Sequence, residues 1–79
     1  MFGNQNVVVY GTVACVQCKA TERALRQVGI EFESVDVAGA DSVADQLRKD
    51  GWRQLPVVAV DGEPKWAGFR PDMIAGLKG

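Results

Sequence analysis

The chain has 79 residues, 47% of them hydrophobic and 24% charged, with a formal net charge of −1. That length allows one domain with one modest core. The balanced charge, without a Lys/Arg cluster, argues against nucleic acid and anionic lipid as partners. Met1 to Asn6 carries no basic residue and Val7–Val9 is too short for a signal-peptide core. The longest later apolar run, Leu55–Val60, is strand-sized and contains Pro56, so no membrane span is expected. The expectation is a cytoplasmic, monomeric protein forming a single domain over residues 1–79.

In chain order, Val7–Tyr10 is a β-branched and aromatic run ending at Gly11-Thr12, the pattern of a buried central strand. A segment rich in helix formers follows, Cys18 to Val28, with Ala20, Ala24, Leu25 and Val28 on one face and Gly29 as its stop. Phe32, Val35 and Val37 mark a second strand, parallel to the first if the helix is a crossover. Asp41 is the expected N-cap of a second helix that turns Val43, Leu47 and the Ala44 edge inward and ends at Gly51. Trp52, just past that stop, is expected to cover core. Pro56 opens a third strand, Val57–Val60, and Asp61-Gly62 is a two-residue hairpin signature. The returning strand, Lys65–Ala67, follows Pro64 and suits an edge. Pro71 begins a final helix containing Met73, Ile74 and Leu77. The order β-α-β-α-β-β-α predicts an α/β fold, a four-stranded mixed sheet flanked by helices.

Cys15 and Cys18, the only cysteines, would close a loop too short to restrain the unfolded chain, so they are read as chemistry rather than as a staple. Cys15 lies where the first strand hands over to the first helix. There the positive end of the helix and its free N–H groups favour a thiolate. Cys15 is therefore the expected nucleophile, and Cys18, one turn on, the resolving thiol. Half of a zinc site shared between two chains is the competing reading, since C-x-x-C often supplies two ligands; without histidine, one chain could add only carboxylates.

C-x-x-C within β-α-β resembles the thioredoxin/glutaredoxin superfamily over essentially the whole chain. That resemblance implies a thioredoxin fold and places Pro56, in Gln54-Leu55-Pro56-Val57, at the family's cis-proline opposite the dithiol. The backbone of Leu55 would then be free to pair with an extended partner peptide. Val16-Gln17 between the cysteines, with Trp66-Ala67-Gly68-Phe69-Arg70-Pro71-Asp72, looks like the NrdH-redoxins, which are glutaredoxin-like in sequence and thioredoxin-like in activity. The resemblance implies a dithiol-disulfide oxidoreductase recharged by thioredoxin reductase and donating electrons to class Ib ribonucleotide reductase. No metal and no cofactor beyond the Cys15–Cys18 pair is implied. Ala14, Val16, Gln17, Leu55, Pro56, Trp66, Phe69 and Arg70 are the expected partner-binding residues.

Bulk at Phe69, Arg70 and Pro71 would fill the place where glutaredoxins hold glutathione. Trp66 and Arg70 would lock that loop by stacking or hydrogen bonding, although core packing is an equally natural role for Trp66 and Phe69. A glutathione-dependent glutaredoxin is the alternative enzyme, and a zinc-bridged or redox-fold binding module the alternative outside enzymes. The chain departs from the family in having Thr12 and Val13, followed by Ala14, where a lysine and proline usually stand ahead of the first cysteine, and Ala67 in place of a serine. The missing cation leaves the helix terminus to do more for the Cys15 thiolate.

Overall fold

The structure, a computed structural model, describes residues 6–39 and 41–77. The stretch Met1–Gln5, part of the segment read above for a leader, lies outside them. The elements are β1 (Val7–Gly11), α1 (Val16–Gln27), β2 (Phe32–Asp36), a 3₁₀ turn (Val37–Gly39), α2 (Asp41–Lys49), β3 (Val57–Val60), β4 (Glu63–Ala67) and α3 (Pro71–Leu77). The sheet has four strands in the order β2-β1-β3-β4. β1 pairs parallel with β2, from Val7 opposite Phe32 to Gly11 opposite Asp36, because α1 carries the chain back across the sheet. β3 runs antiparallel to both β1 and β4.

Alternation along the central strands divides the core. Val7, Val9, Val58 and Val60 join Leu25 of α1, Trp66 of β4 and Ile74 of α3 in one cluster. Val57 joins Val37 and Leu47 on the other face, with Tyr10, Val43, Ala44, Trp52 and Leu55 packed against it. β3 is buried at all four positions because helices cover both of its faces. α1 and α2 end alike: the N–H groups of Gly29 and Ile30 return to Arg26 and Leu25, and those of Gly51 and Trp52 to Arg48 and Leu47.

Four details differ from the sequence expectation. The buried face of α1 is Cys18, Thr21 and Leu25, rotated from the predicted stripe, so that Thr21 rather than Ala20 is fully enclosed. Its hydroxyl finds no partner among the described residues. β2 ends at Asp36, whose carboxylate accepts from the Ala38 N–H at 2.9 Å and turns Val37 into the 3₁₀ segment, where it is still buried. Asp41, expected as a cap, is the first residue of α2, where its charge still suits the positive helix end. The returning strand begins at Glu63 and includes Pro64, which an edge strand tolerates; a register shift opposite Val58/Ala59 absorbs the irregularity. Asp61 and Gly62 (φ 54° and 87°) make the predicted two-residue turn.

Candidate active site

Cys15 and Cys18 meet at the junction of β1 and α1, bonded as a disulfide with their Cα atoms 5.2 Å apart. Cys15 is the N-cap of α1, in extended backbone, and its Sγ accepts a hydrogen bond from the Cys18 N–H at 3.1 Å. A sulfur thus takes the position where serine or aspartate usually satisfies a free helix donor. Cys18 is 3% exposed, whereas Cys15 reaches the surface. Around them Val13 and Val16 stand 78% and 80% exposed, beside exposed Ala14.

The far side of the site comes from the loop before β3 and the loop after β4. The Leu55–Pro56 peptide bond is cis. The Pro56 carbonyl accepts from the Gly68 N–H at 2.8 Å, and the next N–H, that of Phe69, donates to Gln17 Oε1 at 3.1 Å. Gln17, between the cysteines, therefore ties the first turn of α1 to the segment Gly68–Phe69. Gly68 suits that place by its backbone first and by the space around it second. Its φ is +83°, and a Cβ would stand 3.2 Å from Gln54 Oε1 and 3.3 Å from Gln17 Oε1. On the strand side, a Cβ on Gly11 would overlap Cys18 Sγ and lie 3.0 Å from Cys18 Cβ.

Of the expected partner-binding residues, Ala14, Val16, Gln17, Phe69 and Arg70 are exposed, Leu55 is half-buried and Pro56 buried. Trp66, 4% exposed, belongs to the main core and supports the loop from beneath. The expected Trp66–Arg70 lock does not form. The Trp66 indole N–H has no partner among the described residues, and the Arg70 guanidinium pairs with Asp72 instead, at 3.2 and 3.0 Å. A buried ring cannot reach a guanidinium that solvation holds at the surface. The side-chain hydrogen bond from Arg70 holds the Asp72 carboxyl below the usual carboxylate range, and the same bond raises Arg70. Among the described residues no group of three or more His, Cys, Asp or Glu could hold a metal ion, and no helix is long and apolar enough to cross a membrane. A cleft of about 540 Å³ between α2 and the segment before β3, floored by Leu47 and Val57 and edged by Trp52 and Arg53, has neither cysteine in its walls.

Sequence reasoning passed over Gly11, Glu22, Ser34 and Asp36. Glu22 follows Cys18 by one helical turn, a spacing the sequence does show, but only β1–β2 pairing and the packing of α1 bring Gly11, Ser34 and Asp36 to the same place.

Residues 7–64 match the family model for glutaredoxin. The glutaredoxin-like protein NrdH of Salmonella typhimurium is 51% identical over 69 residues, covering 87% of this chain and 84% of that protein. The chain belongs to the NrdH glutaredoxin-like proteins. As an NrdH redoxin it is a thiol-disulfide oxidoreductase, with Cys15 and Cys18 as its C-x-x-C pair. The Escherichia coli NrdH protein is 47% identical over 68 residues, covering 86% of this chain and 83% of that protein. The solved Escherichia coli NrdH-redoxin, described as having a thioredoxin-like activity profile, superposes with a TM-score of 0.85 at 44% identity, over 91% of this chain and 93% of that one. The chain thus has the thioredoxin-like fold expected from its sequence.

Proposed function

We propose that this protein is a dithiol electron carrier, recharged by a thioredoxin reductase and reducing protein disulfides, foremost those of a class Ib ribonucleotide reductase. Cys15 is the nucleophile. Once the pair is reduced, the Cys18 N–H and the helix terminus favour its thiolate. The thiolate attacks a partner disulfide to give a mixed disulfide, and Cys18 resolves it, leaving a reduced partner and the Cys15–Cys18 disulfide. Exposed Val13, Ala14 and Val16 offer the partner an apolar shoulder, with Leu55, Pro56, Phe69 and Arg70 on the opposite side, Gln17 bracing that side and Trp66 beneath it. The carrier needs no metal or cofactor beyond its disulfide and works as a cytoplasmic monomer, with neither nucleic acid nor membrane as partner.

The observation that carries the choice of reductase over glutathione is the hydrogen bond from Phe69 N–H to Gln17, with Gly68 N–H held by Pro56. Two backbone donors of this loop are thus already used within the protein rather than left for a small peptide carboxylate. The thioredoxin-like profile of the Escherichia coli relative supports the same choice. An NADPH-coupled assay with a thioredoxin reductase is expected to show turnover that glutathione and glutathione reductase do not match. Robust turnover with glutathione alone would sink the proposal in favour of a glutaredoxin. Cys15→Ser should abolish turnover, whereas Cys18→Ser should accumulate mixed disulfides.

A further inference from the structure

Cys18 must lose a proton before it can resolve a mixed disulfide, and the chain has no histidine to take it. On the β2 side of α1 a cleft of about 220 Å³ opens beside this thiol, lined by Gly11, Cys18, Lys19, Glu22, Ser34 and Asp36. The Cys18 sulfur points to the Gly11 end of it, since that is the atom a Gly11 Cβ would strike. Glu22 lies one helical turn beyond Cys18 on the same face, and side chains in a helix lean toward the preceding turn. Ser34 on β2 donates its hydroxyl to Glu22 Oε2 at 2.7 Å and fixes the carboxylate in the cleft. The other charged groups around it are Lys19 and Arg26 on α1, the latter 4.0 Å from Glu22 Oε1, and Asp36 on β2. Asp36 accepts from the Ala38 N–H through Oδ1 and is the competing carboxylate, which Asp36→Asn separates from Glu22. The cleft presents the polar groups of Glu22, Ser34 and Asp36 and is large enough for a bridging water.

We infer that Glu22, held by Ser34, accepts the Cys18 thiol proton across this cleft during resolution. The step rests on the dithiol chemistry proposed above. The Cys18 S–H bond breaks and its proton passes through a cleft water to Glu22. The sulfur's electron pair forms the bond to Cys15 Sγ. The bond between Cys15 and the partner sulfur breaks, its pair leaving on the partner, which is protonated from solvent. The dithiol is oxidised, the partner disulfide is reduced, and Glu22 returns its proton to water.

The test is stopped-flow reaction of the reduced protein with an aryl disulfide that releases coloured nitrothiobenzoate. A first release reports attack by Cys15 and a second reports resolution by Cys18. With Glu22 as acceptor, the wild-type second phase holds a plateau across neutral pH, below the ordinary thiol titration range. In Glu22→Gln the second phase should be at least about tenfold slower there and fall about tenfold for each unit by which pH is lowered, as the thiolate fraction alone does. The first phase and the melting temperature should stay unchanged, and Ser34→Ala should give a smaller loss. Identical second-phase profiles in wild type and Glu22→Gln overturn the inference, as does loss of the plateau in Asp36→Asn with Glu22→Gln unaffected. Absence of any second release from the wild-type protein would instead overturn the dithiol assignment itself.

Discussion

Replacing Gly11 by alanine should make the protein a stronger oxidant. The φ of Gly11 is not in the left-handed region, so the substitution acts through its Cβ, which would overlap Cys18 Sγ and crowd Cys18 Cβ at 3.0 Å. In the oxidised protein that sulfur is tied to Cys15 and cannot swing aside. In the reduced protein it can turn toward another staggered position about χ1. Overpacking of this kind costs about 1–3 kcal/mol, and here most of it falls on the oxidised form. For a two-electron couple that difference raises the reduction potential by about 20–65 mV. The same asymmetry should lower the melting temperature of the oxidised form by about 4 °C or more beyond any change in the reduced form. Equilibration with dithiothreitol or thioredoxin redox buffers reads the potential, and paired thermal melts read the stabilities. Equal destabilisation of both forms, or an unchanged potential, would show that the β1–α1 contact does not set the redox balance.

Gln17→Ala removes the bond to the Phe69 N–H, and a loss of about 0.5–1.5 kcal/mol is expected, with faster hydrogen exchange at that amide; unchanged exchange would show that the bond does not persist in solution. The same variant should gain turnover with glutathione, since it frees a loop donor. In Arg70→Gln the Asp72 carboxyl, now held down chiefly by the Arg70 hydrogen bond, should titrate higher by NMR. Because its folded-state value is depressed, the pair's contribution to stability is present at neutral pH and lost as pH falls through that titration, and at this exposed site it is small. Leu25→Ala should destabilise both redox forms by about 2–5 kcal/mol in chemical denaturation, since Leu25 is fully buried in the main core and lies outside the disulfide.

What could be read from sequence were the features that neighbours in the chain decide. The β-branched runs, the Asp61-Gly62 turn, the Gly29 and Gly51 stops and Pro71 at the start of α3 each carry a local physical signal, and the structure uses each as expected. The place of Cys15 at a helix start was legible for the same reason. Features that depend on packing were not. Only the docking of α1 on β1 decides that Thr21 rather than Ala20 faces inward, and only tertiary folding brings Gln17 to Phe69, 52 positions away. Val37 leaves the strand because Asp36 can cap a turn, a competition that a strand pattern does not reveal. Glu22 and Ser34 looked like solvated surface residues until β2 set them side by side.

The stretch Thr12–Gln17 holds no ionisable side chain apart from the Cys15 sulfur, and its two valines are 78% and 80% exposed. The rim of the reacting sulfur therefore projects little field of its own, so electrostatic steering from this stretch contributes little to the first encounter with a partner. The valines offer a partner apolar surface to desolvate, and any dependence of the encounter rate on ionic strength should come from charged groups outside this stretch. Discrimination by charge falls to groups farther out, so partner preference can be altered at Arg70 or Lys19 while the chemistry at Cys15 stays as it is.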